Sequence, residues 1–165
     1  MKVATEILIE ATPEKIWNIL MDFEKYPEWN RFFKSVNGKI TDDILEKKNL
    51  YGNLNDTHFG TLDIDLQFSG KSIQKKSGIV TGYIAPKYFS WVWKHDWGNW
   101  FLSCEHVFRL KEKEGDRAIF FNESYMTGLG MRFRRRDMEH MLRYSMYKMN
   151  EDLKERAEAD QKPLT

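Results

Sequence analysis

The sequence predicts an α+β fold: one strand, two short helices, a run of antiparallel strands and one long C-terminal helix. Three observations lead to this prediction. Apolar residues alternate over residues 3–10 and again in several segments between residues 35 and 127, as is typical of half-buried strands. Helix-start signals follow the first of these strands. Residues 131–159 contain neither Gly nor Pro and carry apolar residues at spacings of three and four, which indicates a long amphipathic helix.

The first strand and the two short helices can be placed from local signals. In residues 3–10, Val3 and Ile9 share the apolar face. Thr12 can cap a helix and Pro13 suits its first position, so a short helix is expected to run to about Met21. Pro27 should interrupt it. A second, shorter helix is then predicted over residues 28–33, with Trp29, Phe32 and Phe33 on its inner side.

The middle of the chain is predicted to be an antiparallel meander. Strands are expected over residues 62–68, 79–84, 89–94, 101–110 and 118–126, with turns at residues 69–72, 96–99 and 111–117. Residues 41–59 fit this pattern least well and are expected to form a long loop or to contain a short helix. The long helix begins after Gly130, and its inner stripe comprises Met138, Leu142, Ser145, Met146, Met149 and Leu153.

Composition predicts one folded domain over residues 1–159 and a disordered tail over residues 160–165. Aromatic residues make up 15% of the chain, and 26 basic residues balance 25 acidic ones, which excludes a disordered chain. A net charge of +1 gives no long-range attraction to nucleic acid or anionic lipid. Neither partner is therefore expected.

Cysteine and targeting signals favour a cytoplasmic protein without a metal or other cofactor. Cys104 is the single cysteine, so no internal disulfide can form, and no Cys/His cluster has zinc-site spacing. The N-terminus lacks the apolar run of a signal peptide, and no segment has the ~20 apolar residues that membrane insertion requires.

Five segments of the sequence resemble the START-like superfamily, which includes lipid-transfer domains, the birch pollen allergen group and polyketide cyclase/dehydrase-like proteins. They are IEATPEKIWNILMDFEKYPEWNRF, Pro86–Trp91, Cys104–Leu110, Glu123 followed by Gly128, and Met149–Glu158. The resemblance spans nearly the whole chain except residues 41–60, and it departs at Arg31, where the pattern commonly has proline. It implies a helix-grip fold, in which a curved sheet wraps around the long helix and leaves a cavity. It implies no particular reaction.

His106 and Glu123 are the best candidates for polar chemistry inside such a cavity. If the turn between their strands is symmetric about residues 114 and 115, these two side chains lie opposite each other on one face; a one-residue slip would pair His106 with Ser124 instead. A neighbouring carboxylate would raise the histidine pKa and suit the pair to ligand anchoring or proton transfer. The alternative is a structural pair that tethers two strands.

Aromatic and methionine side chains are the expected walls of the cavity. Ordinary core packing is the alternative for each of them. Ser145 can donate to a ligand or to its own helix backbone, and we favour the backbone. The candidate ligand-binding residues are Trp91, Trp93, His106, Phe108, Glu123, Met138, Met141, Leu142 and Ser145.

Two surface features remain open in the sequence. Arg132, Arg134, Arg135 and Arg136 cluster at the start of the long helix, where cations oppose the helix dipole. Anionic lipid, nucleic acid or a ligand phosphate could compensate them, although a solvated surface is favoured. Trp97 and Trp100 flank a turn and could frame a cavity mouth or an interface, including that of a homodimer.

The sequence therefore predicts binding, with or without transport, of a small hydrophobic ligand such as a lipid or polyketide between the sheet and the long helix. The first alternative is a cyclase- or dehydratase-like enzyme that uses His106 and Glu123 for proton transfer. The second is a protein-interaction module. No catalytic residue is assigned beyond these two candidates.

Overall fold

Seven antiparallel strands form one sheet in the order β1-β7-β6-β5-β4-β3-β2. The computed structural model describes residues 1–40, 59–68, 71–94, 102–129 and 131–159, without the side chains of residues 39, 94 and 131–134. The strands are β1 (Lys2–Ile9), β2 (Phe33–Ile40), β3 (Gly60–Leu66), β4 (Gln74–Ile84), β5 (Tyr88–Lys94), β6 (Ser103–Lys113) and β7 (Arg117–Thr127). The helices are α1 (Pro13–Met21), α2 (Tyr26–Trp29) and α3 (Met131–Glu158), and a 3-10 turn (Phe23–Lys25) precedes α2.

The predicted meander is confirmed, because β2 to β7 pair in chain order. The first strand completes the sheet by pairing with β7, with Val3 opposite Ser124 and Ile9 opposite Ala118. The chain therefore crosses from one edge of the sheet to the other between β1 and β2. The two short helices occupy that crossover: α2 lies against β2, whereas α1 contacts α3 and β6.

Helix α1 forms as its start signals predict. The Thr12 hydroxyl accepts a hydrogen bond from the Lys15 amide at 3.3 Å, which satisfies one of the unpaired donors at the helix start. Pro13 occupies the first turn, where its missing N–H is not needed. Ile16 and Leu20 are fully buried on the inner side of the helix. The helix ends at Met21.

The predicted second short helix is confirmed, but its predicted bounds, residues 28–33, are wrong: α2 spans Tyr26–Trp29. Pro27 does not interrupt a helix; it lies in the first turn of α2, a position that tolerates proline. The helix then stops because the Asn30 side-chain oxygen accepts hydrogen bonds from the amides of Phe32 and Phe33 at 2.9 and 2.8 Å. These bonds hold the chain in a turn, and Phe33 begins β2 instead of ending a helix. Phe32 and Phe33 are nevertheless buried, as expected.

The long helix lies on the inner face of the sheet near β1 and β7. Its predicted stripe is confirmed: Leu142, Ser145, Met146, Met149 and Leu153 are buried, and Met138 is half-buried.

Polar bonds also attach α3 to β1. The Asn150 amide donates to the Thr5 hydroxyl at 3.1 Å, and Lys154 donates to the Leu8 carbonyl at 2.8 Å. Helix α3 is long but strongly charged, and no described helix combines the length and hydrophobicity needed to span a bilayer.

A buried charged contact joins the turn after α2 to α3, in addition to the exposed pair of Glu28 and Arg156. The buried carboxylate of Asp152 accepts hydrogen bonds from the backbone amide of Arg31 at 3.0 Å and from its Nε at 2.7 Å, and it also accepts one from Nη2. A carboxylate bound twice by one guanidinium is held in a defined geometry. The contact therefore fixes the turn between α2 and β2 relative to the long helix.

We expect Asp152→Ala to lower the free energy of unfolding by about 1–3 kcal/mol, because three hydrogen bonds to a buried carboxylate are lost. Urea unfolding followed by circular dichroism measures this change. The matched control is Glu155→Ala, which removes an exposed carboxylate one turn later on the same helix and should change stability by less than about 0.5 kcal/mol. Equal effects of the two substitutions would contradict a stabilising role for the contact between Asp152 and Arg31.

Candidate functional site

The turn between β6 and β7 decides which side chains face the interior. It comprises residues 114–116 and is centred on Gly115, so that Lys113 pairs with Arg117. Gly115 and Asp116 have φ angles of 75° and 53°, a region that glycine and aspartate tolerate. The predicted symmetry about residues 114 and 115 is therefore wrong by one residue. Such a slip moves side chains to the opposite face of the sheet.

The predicted His106–Glu123 pair does not exist. His106 lies opposite Ser124, whereas Glu123 lies opposite Val107 on the outer face of the sheet. Glu123 Oε1 is 3.0 Å from both Lys2 Nζ and Arg109 Nη2, and the Tyr125 hydroxyl donates to Oε2 at 3.0 Å. Burial acts to raise the pKa of Glu123, but these three donors together hold it below its ordinary value. Glu123 is thus an ionised carboxylate that ties β1, β6 and β7 together.

His106 is buried among aromatic rings on the inner face, with 1% of its surface exposed. It stacks on Trp91 at a ring separation of 5.1 Å and contacts the ring of Phe33 at 5.5 Å. Burial lowers the pKa of His106 to about 4, against a smaller opposing effect from a hydrogen bond with the Glu123 backbone. The imidazole is therefore neutral at pH 7. A ring with so low a pKa is a weak proton acceptor at neutral pH, which does not suit the proton transfer of the enzyme hypothesis.

Four polar atoms on this inner face have no hydrogen-bond partner in the described part of the chain: Trp91 Nε1, Trp93 Nε1, His106 Nδ1 and Asn122 Oδ1. The Nδ1 atom of a neutral histidine accepts or donates according to the ring's tautomer, and the Asn122 amide oxygen accepts. Each tryptophan offers a donor. Together they could bind a hydroxyl group, which both donates and accepts.

The candidate residues of α3 serve mainly as packing. Ser145 Oγ donates to the Met141 carbonyl at 2.9 Å, which is the backbone alternative that we favoured. Leu142 is buried, whereas Met138 and Met141 are half-buried at the edge of the core. Opposite the helix, Phe108 packs edge-on against Trp91 at 4.9 Å.

The interior bounded by described side chains is nearly full. The void beside Trp91, Phe33 and Phe89 has a volume of about 10 Å³, which is at the lower limit for a single water molecule. Aromatic rings therefore fill the part of the interior beside Trp91, Phe33 and Phe89.

An open cleft of about 290 Å³ lies instead between α3 and the ends of β2 and β3. Phe32 and Phe68 form its apolar side, with their rings 5.3 Å apart. Tyr144 and Ser145 of α3 line the opposite side. Phe32 also contacts His106, at a ring separation of 6.1 Å, so the cleft and the inner face share a wall.

Sequence reasoning included Ser145 among the candidate ligand-binding residues but missed the other members of the cleft. Phe68 ends a strand-like alternation, and Phe32 was assigned to a helix, so neither pattern indicated a shared surface. The signal that was available is Arg31, which departs from the START-like pattern and lines this cleft.

A larger groove of about 490 Å³ lies between α1 and the C-terminal end of α3. Ionised side chains dominate it, among them Lys15, Asp22, Lys25 and Arg156. Lys25 pairs with Asp22 at 2.7 Å. Because a binding site is usually apolar with few polar groups, the smaller cleft with its aromatic floor is the better candidate.

The structure is similar to many solved structures, of which three match over nearly the full length of each chain as follows. A START superfamily protein from Mycobacterium smegmatis is 18% identical (TM-score 0.62), and the match covers 96% of this chain and 97% of that one. The Zhui aromatase/cyclase from Streptomyces sp. R1128 is 10% identical (TM-score 0.70; 99% and 96% covered). A conserved protein from Geobacillus kaustophilus is 15% identical (TM-score 0.67; 97% of each chain).

The chain has the helix-grip fold of START-like proteins. These identities are too low to transfer a function, so the similarity establishes the fold alone. No protein-family model matches the chain. Comparison with curated protein sequences gives no match either.

Several predicted features lie outside the described part of the helix-grip domain. These are residues 41–58, Trp97 and Trp100, the tail after residue 159, and the side chains of Arg132 and Arg134. Arg135 and Arg136 are described and are exposed at the start of α3. Within the described ranges, no three His, Cys, Asp or Glu side chains come together as a metal site would require.

Cys104 lies on the inner face of the helix-grip sheet and is not a nucleophile. Its Sγ is 3.1 Å from the Ser124 hydroxyl. Burial raises the pKa of the Cys104 thiol to about 12, although the Ser124 hydrogen bond acts to lower it. The reactive thiolate is therefore negligible at neutral pH.

The buried His106 should make stability fall in mild acid. Its pKa is about 4 in the folded chain and about 6.5 when unfolded, so the unfolded state binds the proton first as the pH falls. Its contribution is fully present above pH 6.5 and is lost between pH 6.5 and pH 4. We expect a loss of about 2 kcal/mol between pH 7 and pH 5.

Urea unfolding at the two pH values measures the free energy of unfolding in the unmodified protein and in His106→Phe. The variant has no imidazole at this position, so the loss of stability between pH 7 and pH 5 that His106 causes should disappear. His140→Gln, which changes an exposed histidine of α3, is the control and should retain it. An unchanged pH dependence in His106→Phe would contradict a buried neutral imidazole.

Proposed function

We propose that this protein binds a small hydrophobic ligand in the cleft between α3 and the β2–β3 end of the sheet. The observation that carries the proposal is the position of Phe32, which forms the apolar side of the cleft and contacts His106 behind it. An apolar body bound in the cleft would gain about 25 cal/mol for each Å² of apolar surface removed from water. The cleft is at the small end of the volumes that bind organic ligands.

The unpartnered polar atoms behind Phe32 support a ligand that carries a hydroxyl or carbonyl group. A buried donor or acceptor without a partner costs about 1–3 kcal/mol. Rotation of Phe32 would expose His106 to the cleft; its Nδ1 has no partner among the described residues, and its ring stacks on that of Trp91. A ligand that bonds these atoms would recover part of that cost.

The enzyme hypothesis built on His106 and Glu123 is not retained. These side chains lie on opposite faces of the sheet, and Glu123 is occupied by Lys2 and Arg109. An aromatase/cyclase shares the fold, but the proton-transfer pair that would have supported such an activity here is absent. Ligand binding requires no such pair.

Native mass spectrometry of the full chain purified from its own host tests the proposal, because a retained apolar ligand adds its mass to the protein. The proposal is supported if the retained ligand can be removed and the complex forms again when the ligand is added back. Bare protein, together with no binding of 2-naphthalenemethanol by calorimetry, would contradict it.

Tyr144 and Tyr147 provide a matched pair of substitutions. They are 51% and 48% exposed on α3, but Tyr144 lines the cleft, whereas Tyr147 is not among its lining residues. We expect Tyr144→Ala to weaken binding of 2-naphthalenemethanol by about 3–10-fold, because an aromatic contact is lost. Tyr147→Ala should leave the affinity unchanged. Equal affinities of the two variants would place the ligand elsewhere.

A further inference from the structure

The cleft between α3 and the β2–β3 end has a positively charged side in addition to its aromatic one. Arg31, Lys34 and Lys148 line it, and no carboxylate does among the described residues. Two of these cations have acidic partners just outside the cleft, since Arg31 pairs with Asp152 and Lys148 Nζ lies 2.7 Å from Glu151. In the described part of the chain, Lys34 has no carboxylate within 4 Å. Among the described residues, one positive charge of the cleft is therefore left without an ion-pair partner.

The guanidinium of Arg31 is held in place before any ligand arrives. Asp152 accepts from Nε and Nη2 and also from the backbone amide of the same residue. This arrangement fixes the plane of the group, while Nη1 has no partner among the described residues and keeps its two donors. A preorganised arginine with donors to spare is suited to carboxylate oxygens.

The polar group of Ser145 cannot replace these cations. Its hydroxyl hydrogen is used in the bond to the Met141 carbonyl at 2.9 Å, so it offers an anion only lone pairs. A negatively charged group would therefore lie on the side of Arg31 and Lys34, and the apolar body attached to it would lie on Phe32 and Phe68.

We infer that the ligand of this cleft is a small organic monoanion: an aromatic or aliphatic body with one carboxylate. The inference rests on the proposed function and adds the charge of the ligand to it. The charge of Lys34, which has no ion-pair partner among the described residues, would be neutralised by one negative charge. Arg31 is already paired but has free donors, so it can bind a carboxylate. A dianion would need a second cation without a partner. Because aromatic side chains line the other side of the cleft, the anion should carry an apolar organic body that can pack against them.

Calorimetric titration of the full chain with three probes of one shape tests the inference. The probes are 2-naphthoate, the neutral 2-naphthalenemethanol and 2-naphthyl phosphate. At low ionic strength we expect the carboxylate to bind about 5–20-fold more tightly than the alcohol, and we expect about 0.5 M salt to remove most of this advantage.

Substitution of the lysines separates charge from shape. Lys34→Gln and Lys148→Gln should each weaken 2-naphthoate binding by about 2–5-fold, while the affinity for the alcohol stays the same and shows that the cleft is intact. The matched control is Lys111→Gln, which neutralises an exposed lysine on β6 outside the cleft and should change neither affinity.

The outcomes distinguish the two proposals. Equal affinity for the carboxylate and the alcohol, unchanged by Lys34→Gln, overturns the anion inference and leaves ligand binding in place. Tighter binding of the phosphate than of the carboxylate overturns the assignment to a monoanion. Binding of none of the three probes overturns the proposed function, and the anion inference with it.

Discussion

The three-residue turn between β6 and β7 is the constraint on which the interior depends. Gly115 and Asp116 adopt positive φ angles, which allows a turn of three residues. The two strands therefore pair one residue away from the register that a turn centred between residues 114 and 115 would give. That single step places Ser124 opposite His106 and turns Glu123 to the outer face. An ionised carboxylate on the inner face would have required a buried cation there. The register instead leaves the inner face with neutral polar groups, which aromatic rings can surround.

The attachment of α3 to the sheet is uneven, and this unevenness positions the cleft. On the β1 side the helix is held by buried methionines and by the bonded chain Asn122–Asn150–Thr5, in which each side-chain amide donates to the next residue at 3.0 and 3.1 Å. On the β2–β3 side it meets Phe32 and Phe68 across an opening. Because the packing on the β1 side holds the helix in place, a ligand can bind on the β2–β3 side without disrupting the hydrophobic core.

Sequence reasoning succeeded where one residue acts through local chemistry. The Thr12 cap, Pro13 in the first turn and the alternation that buries Leu102, Cys104, His106 and Phe108 all follow from short-range rules, and the START-like resemblance anticipated the helix-grip fold. It failed where the outcome depends on the number of residues in a turn, as at Gly115, which sets the register of two strands. It also failed where a side chain takes the backbone amides that a helix would need, as at Asn30. The cleft could not be predicted because Phe32, Phe68 and Tyr144 come from distant segments that only the tertiary structure brings together.

The bond between Asp152 and the backbone amide of Arg31 makes that amide an observable probe. Its exchange with solvent requires the carboxylate to move away, so its protection reports on the junction between α2, β2 and α3. A molecule that draws the guanidinium toward itself competes with the Asp152 carboxylate for it, and one that packs over the junction shields the amide from solvent. The amide signal of Arg31 in a heteronuclear NMR spectrum would therefore register an occupant of the cleft without any label on the ligand.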